Sequence, residues 1–158
     1  MTGRAPRRVF RAVAAVFFVG ASCALGSVAA ASTTLKPPVI SEHFTLLPCN
    51  KNTTLGMEGC AEAKLLHADK RLNEQVAIIF GLSHATTQKR DVVNAENVWF
   101  TYRGADCLSF AAAFEGGTIA PVVYANCEVQ DDVARSTDLH SLFVELTEGD
   151  SMNIPPWP

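Results

Sequence analysis

Three stretches of helical periodicity, separated by two short breaks, most constrain the fold of this chain. The first runs from about Thr54 to Leu82, the second from about Gln88 to Phe114 and the third from about Ile119 to Glu145. Six apolar residues of the first stretch recur every three or four positions and share one helix face: Ala61, Leu65, Ala68, Leu72, Val76 and Ile79. Because short connections make neighbouring helices antiparallel, the sequence predicts an all-α fold, a small antiparallel bundle of three main helices.

Residues at the ends of these stretches give the expected helix boundaries. We expect Thr54 to cap the first helix and Gly81 to end it, and we expect Gly116 and Gly117 to stop the second. In the second and third stretches the same periodicity predicts inward faces formed by Trp99, Arg103, Cys107, Phe110 and Phe114, and by Val122, Val129, Val133, His140 and Phe143.

The first 31 residues have the layout of a secretory signal peptide. A basic segment ends at Arg11, an apolar run extends to Leu25, and small residues precede an expected cleavage after Ala30 or Ala31. The apolar run is interrupted by glycine and serine, so a membrane anchor is the weaker interpretation. Lipid attachment at Cys23 is the alternative to a soluble exported product, although the apolar run continues past Cys23.

The remainder divides into three parts, and its charge is acidic. We predict an extended lead over 32–48, a helical domain over 49–146 and an irregular, proline-rich tail over 147–158. Removing the four arginines of the signal segment from the thirteen basic residues leaves nine against sixteen acidic ones, a net charge of −7. Nucleic-acid binding needs clustered Lys and Arg, so this balance argues against a nucleic-acid partner.

Four cysteines follow the signal segment, and an even number in an exported chain predicts two disulfides. If the second and third helices fold back around Gly117, residues whose numbers sum to about 234 lie at the same level. Cys107 and Cys127 meet that condition, which leaves Cys49 to pair with Cys60. The spacing alone leaves the other two connectivities open.

The same level argument applies to the first and second helices. Folding around Ala85 or Thr86 brings Asp69 level with Arg103, which lies within an otherwise apolar face. An unpaired buried guanidinium is costly, so we predict an ion pair between Asp69 and Arg103, with Asn73 and Tyr102 as further partners.

No catalytic or metal-binding constellation is evident in the sequence. His67 and Asp69 point to different sides of a helix, and the other histidines have no metal-ligand spacing. Two adjacent acids, Asp131 and Asp132, are more typical of a solvated helix face than of a cation site. We therefore expect no catalytic residues, no metal and no cofactor, and an enzyme is the third choice of function.

Several short motifs, taken in order, resemble the N-terminal domain of the LprI-type bacterial lysozyme inhibitors. They are Cys49, TTLGMEGCA at 53–61, ADKRLN at 68–73, WFTYRGADC at 99–107, GGTIAP at 116–121 and Cys127. The chain departs from the family pattern at Gln75-Val76, at Ala95-Glu96-Asn97 and at Asp131-Asp132-Val133-Ala134. The resemblance implies a small exported, disulfide-bonded helical domain that inhibits lysozyme by direct stoichiometric binding.

That resemblance makes lysozyme the expected partner, and a residue for the contact can be suggested. Many lysozymes are strongly basic, so an acidic inhibitor would be steered toward them. If inhibition occludes the catalytic cleft, Lys51 between Cys49 and Cys60 is a cation placed to meet its carboxylates. The alternative is a periplasmic or secreted interaction module with a partner other than lysozyme.

Overall fold

The computed structural model describes residues 34–149 and 154–158, which contain three helices and no strand. Helix α1 spans Thr54–Leu82, α2 spans Thr86–Ala112 and α3 spans Ala120–Thr147. The expected signal peptide and Cys23 lie outside the described residues. None of the described helices is long and apolar enough to cross a membrane.

Local capping explains why the helix ends differ by a few residues from those expected. Thr53, one residue before the expected cap, has extended backbone, and its Oγ1 accepts the Gly56 N–H at 3.1 Å. Gly81 lies within α1, which ends beside Ser83, whose hydroxyl donates to the Ile79 carbonyl at 2.9 Å. Helix α2 begins earlier than expected because the Gln88 side chain accepts the Ala85 N–H at 3.0 Å.

Helix α3 is the central element of the bundle. It packs extensively along α1 and less extensively against α2, whereas α1 and α2 touch at few points. Two apolar clusters lie between α1 and α3, one around Leu72, Ile79 and Phe143 and the other around Leu65 and Val122. Helix α2 is therefore covered mainly on the side that faces α3.

This arrangement corrects part of the predicted inward faces. In α2, Cys107 is buried, but Phe110 and Phe114 remain 59% and 45% exposed. In α3, Val122 and Phe143 are buried, whereas Val133 is 59% exposed. Periodicity identified a stripe along each helix, but α2 packs against α3 and barely against α1, so part of its stripe remains in solvent.

The segment before α1 occupies the space between α1 and α2. The side chain of Asn73 accepts the Ile40 N–H at 2.8 Å and donates to the Ile40 carbonyl at 3.0 Å. Further along, Glu62 Oε2 accepts the Leu47 N–H at 3.1 Å. These bonds satisfy backbone groups that would otherwise lack partners in a segment with no regular secondary structure.

Two disulfides join the elements, and both follow the predicted pairing. Cys107 of α2 is bonded to Cys127 of α3, with Cα atoms 5.5 Å apart. Cys49, before α1, is bonded to Cys60 within it. The chain before α1 passes so close to this helix that a side chain at Gly59 would collide with the Leu47 carbonyl. Glycine is required there for close approach.

Candidate functional site

A buried charge cluster centred on Arg103 connects all three helices and the lead. Arg103 Nη1 donates to Asp69 Oδ1 on α1 at 2.7 Å and to Asp132 Oδ1 on α3 at 2.8 Å. Arg103 Nη2 donates to Glu42 Oε1 in the lead at 2.7 Å, and Glu128 Oε1 lies 3.5 Å away. One guanidinium thus contacts four carboxylates, and Asp69 is one of them.

The other two residues expected near Arg103 lie elsewhere. Asn73 holds the backbone of Ile40, and Tyr102 is 55% exposed. Asp132 was expected on a solvated face, and this was wrong because it is 2% exposed and bonded to Arg103. Residues of α2 and α3 whose numbers sum to about 234 lie at the same level, and this level rule paired Cys107 with Cys127. It also places residue 131 opposite Arg103, so it could have identified Asp132.

The pKa values of two carboxylates in this cluster are raised above their ordinary values. Burial raises the pKa of Asp132 to about 7, even though Arg103 acts in the opposite direction, and the neighbouring Asp69 raises it further. Burial likewise raises the pKa of Glu128. Four carboxylates exceed the single positive charge of Arg103, so retaining a proton reduces their mutual repulsion. The cluster therefore connects the three helices and the lead through one guanidinium.

A second ion pair, between half-buried Arg135 and buried Glu96, lies nearer the turn between α1 and α2. Arg135 of α3 donates to Glu96 of α2, whose side chain is only 1% exposed. Sequence reasoning did not identify this pair, although the level rule places residue 138 opposite Glu96, within one helical turn of Arg135.

Two grooves flank α1, and we call the one between α1 and α3 the basic groove. It encloses about 680 Å³. Its α1 edge carries Lys64, His67 and Arg71, and exposed Lys51 lies at the end beside the Cys49–Cys60 disulfide. Among the described residues, neither Lys51 nor Lys64 forms an ion pair, whereas Arg71 Nε donates to the Pro158 oxygen at 3.3 Å.

The other groove lies between α1 and α2, with α3 as its floor, and we call it the acidic groove. It encloses about 320 Å³. Its apolar walls include Phe44, Leu65, Leu108 and Pro121. Among the described residues, no Lys or Arg lines it. Four glutamates do: Glu42, Glu58, Glu62 and Glu128.

The histidines lie apart from one another. His67 lines the basic groove, while the ring of His140 lies 5.5 Å from that of Trp157. In the described part of the chain, the one group of metal-ligand atoms that meet is formed by Cys107, Cys127 and Asp131. The two sulfur atoms are joined in a disulfide, so they are not thiolate ligands.

Comparison with known proteins identifies the family. No curated protein and no solved structure matches the chain. The model of the family described as "Lysozyme inhibitor LprI" matches residues 49–139, which is more than half of the chain. The match covers both disulfides, Asp69, Arg103 and all of α2, and the chain therefore belongs to the LprI lysozyme inhibitor family.

Proposed function

We propose that this protein is an exported bacterial inhibitor that binds lysozyme directly and stoichiometrically. The observation that carries the proposal is the family match over residues 49–139. The mature net charge of −7 supports it, because an acidic inhibitor and a basic enzyme attract each other over several ångströms before contact.

Export is part of this proposal. Two disulfides form and persist outside the cytoplasm, which agrees with a secretory signal over 1–31 and a soluble periplasmic or secreted product. Intact mass of the protein purified from its exporting cell would test this. A chain beginning at Ala31 or Ser32 is expected, whereas an acylated N-terminal Cys23 would establish the lipoprotein alternative.

Lys51 is the proposed inhibitory contact. It is exposed, lies two residues after a disulfide-anchored cysteine, and has no carboxylate partner within 4 Å among the described residues. A cation held on a short tethered segment loses little conformational freedom on binding, which favours insertion toward the acidic residues of a lysozyme cleft.

The test is a titration of the oxidised protein, residues 32–158, into lysozyme turbidity assays. Chicken-type, goose-type and invertebrate-type enzymes would be compared in parallel. We expect activity to be lost near one molar equivalent for at least one class, and added salt to weaken the effect. No loss for any class, together with capture of another protein, would favour an interaction module; product turnover without stoichiometry would favour an enzyme.

The Lys51 contact needs a separate variant. Lys51→Glu should weaken inhibition about tenfold or more, since it reverses the charge facing the cleft. Lys36→Glu is the matched control, because Lys36 is also exposed and lies before α1. Equal potency of the two variants would remove Lys51 from the interface without affecting the inhibitor assignment.

A further inference from the structure

We propose that the acidic groove is the surface that receives a cationic side chain of the lysozyme, a Lys or Arg on the rim of its cleft. This inference rests on the proposed function and names the part of this chain that engages the basic surface of the enzyme. The groove and the Lys51 segment lie on different sides of α1, so the two contacts can be tested independently.

The shape of the groove follows from the packing of the bundle. Helices α1 and α2 touch at few points, and the lead fills the space between them only in part. Beside Phe44 of the lead, the walls are formed by Leu65 of α1 and Leu108 of α2, over Pro121 and Tyr124 of α3. The result is an open slot with apolar walls.

The glutamates of the slot differ in how far they are already paired. Glu128 is 3% exposed, lies 3.5 Å from Arg103 and accepts a hydrogen bond from Tyr124, so it contributes negative charge to the floor of the slot from beneath the surface. Glu58 is half-buried and has no ion-pair partner among the described residues. Glu42 and Glu62 also line the slot, and each already accepts a hydrogen bond from within the chain, from Arg103 and from the Leu47 N–H respectively. Glu58 is therefore the glutamate of the slot that can accept a hydrogen bond from an external donor.

The chemistry of the slot matches a long cationic side chain. Lys and Arg combine an apolar stem with a charged tip, so the stem can contact Leu108 and Pro121 while the tip donates to Glu58. Leu108 is 62% exposed, which makes it available to a partner. The α1 edge of the basic groove lacks this complementarity, because Lys64 and Arg71 would repel a cationic side chain.

The test compares two groove variants with two controls of the same chemistry. Leu108→Ser and Glu58→Lys alter the acidic groove. Val144→Ser and Glu145→Lys alter exposed positions near the end of α3, where Val144 is 51% exposed. All four oxidised proteins would be titrated against the lysozyme that the wild type inhibits, with binding measured by calorimetry and folding checked by thermal melting.

We expect each groove variant to raise the concentration for half-inhibition at least tenfold, and each control to change it less than twofold. A photo-crosslinking residue at position 108 should also attach to a lysozyme peptide that contains Lys or Arg. If the wild type inhibits and the groove variants behave like the controls, the groove assignment is overturned and the inhibitor function stands. If the wild type neither binds nor inhibits any lysozyme, both proposals fail.

Discussion

The basic groove and the acidic groove lie on opposite flanks of the same helix, yet they present opposite charges. On one flank of α1, Lys64, His67 and Arg71 follow one another at helical spacing. On the other, Glu58 and Glu62 are one turn apart, and α3 adds Glu128. A net charge of −7 therefore does not describe either surface. For a small helical domain, the relevant quantity for partner choice is the local field of each groove.

The two grooves also share a wall, the charge cluster around Arg103. Asp132 lines the basic groove and Glu128 the acidic groove, and both lie close to the guanidinium of Arg103. Perturbing this cluster should therefore affect both grooves, whereas perturbing either edge should affect only one.

The largest effect is expected from removing the shared cation. Arg103→Met leaves four carboxylates close together without their common partner, and we expect a loss of about 3–5 kcal/mol in the free energy of unfolding. Denaturant unfolding measures this. Asp69→Ala should cost less, because Arg103 keeps Asp132 and Glu42 and one repulsive charge disappears. An equal or larger cost for Asp69→Ala would contradict the shared-cluster description.

Removing either disulfide should lower the free energy of unfolding somewhat less than Arg103→Met does, and the two disulfides should differ in their effect on function. Replacing both Cys107 and Cys127 by serine opens a segment of 20 residues and should cost roughly 3 kcal/mol in the chain-entropy model. Replacing Cys49 and Cys60 opens a shorter segment and should cost slightly less, but it frees the end of the basic groove that carries Lys51. Thermal melting and lysozyme titration of both double variants would reveal this difference.

Titration of Asp132, in the wall that the two grooves share, should make the free energy of unfolding depend on pH. The pKa of Asp132 is raised to about 7 in the folded protein, above its ordinary value of 3.8, so the folded state binds more protons than the unfolded state between these values. Stability contributed by this group is fully present below about pH 4 and is lost as the pH rises toward 7.

Asp132→Asn supplies the control for that pH dependence. The amide still accepts a hydrogen bond from Arg103 but does not titrate, so the decline in stability between pH 4 and pH 7 should become shallower. Urea unfolding at several pH values is the measurement. An unchanged slope in the variant would assign the pH dependence to other groups.

The smallest effect concerns the edge of the basic groove that α1 forms. Lys64→Glu adds negative charge to an exposed position that we do not place in the lysozyme contact, so steering should increase the association rate by about twofold at low salt. Stopped-flow or surface binding kinetics would detect it. A strong loss of affinity would instead extend the interface from Lys51 along the α1 edge of the basic groove.

Much of the architecture was accessible from the sequence. Helical periodicity is a local property, and the antiparallel register is simple counting, so three helices and both disulfide pairs were predicted correctly. The family match likewise agrees with the resemblance in the motifs. The same counting brought Asp69 level with Arg103, and in the structure Arg103 Nη1 lies 2.7 Å from Asp69 Oδ1.

The tertiary structure alone decided which flanks are covered and therefore what the surfaces present. Glu42, in an aperiodic lead, reaches Arg103 from 61 residues away, and no repeat in the sequence encodes that contact. Phe110 and Phe114 follow the core period but remain exposed, because α2 packs against α3 and barely against α1. Periodicity specifies an apolar stripe on each helix, whereas burial of that stripe depends on which neighbouring element packs against it. The sequence thus determined the helices and their register, and the packing of lead and helices created the two grooves.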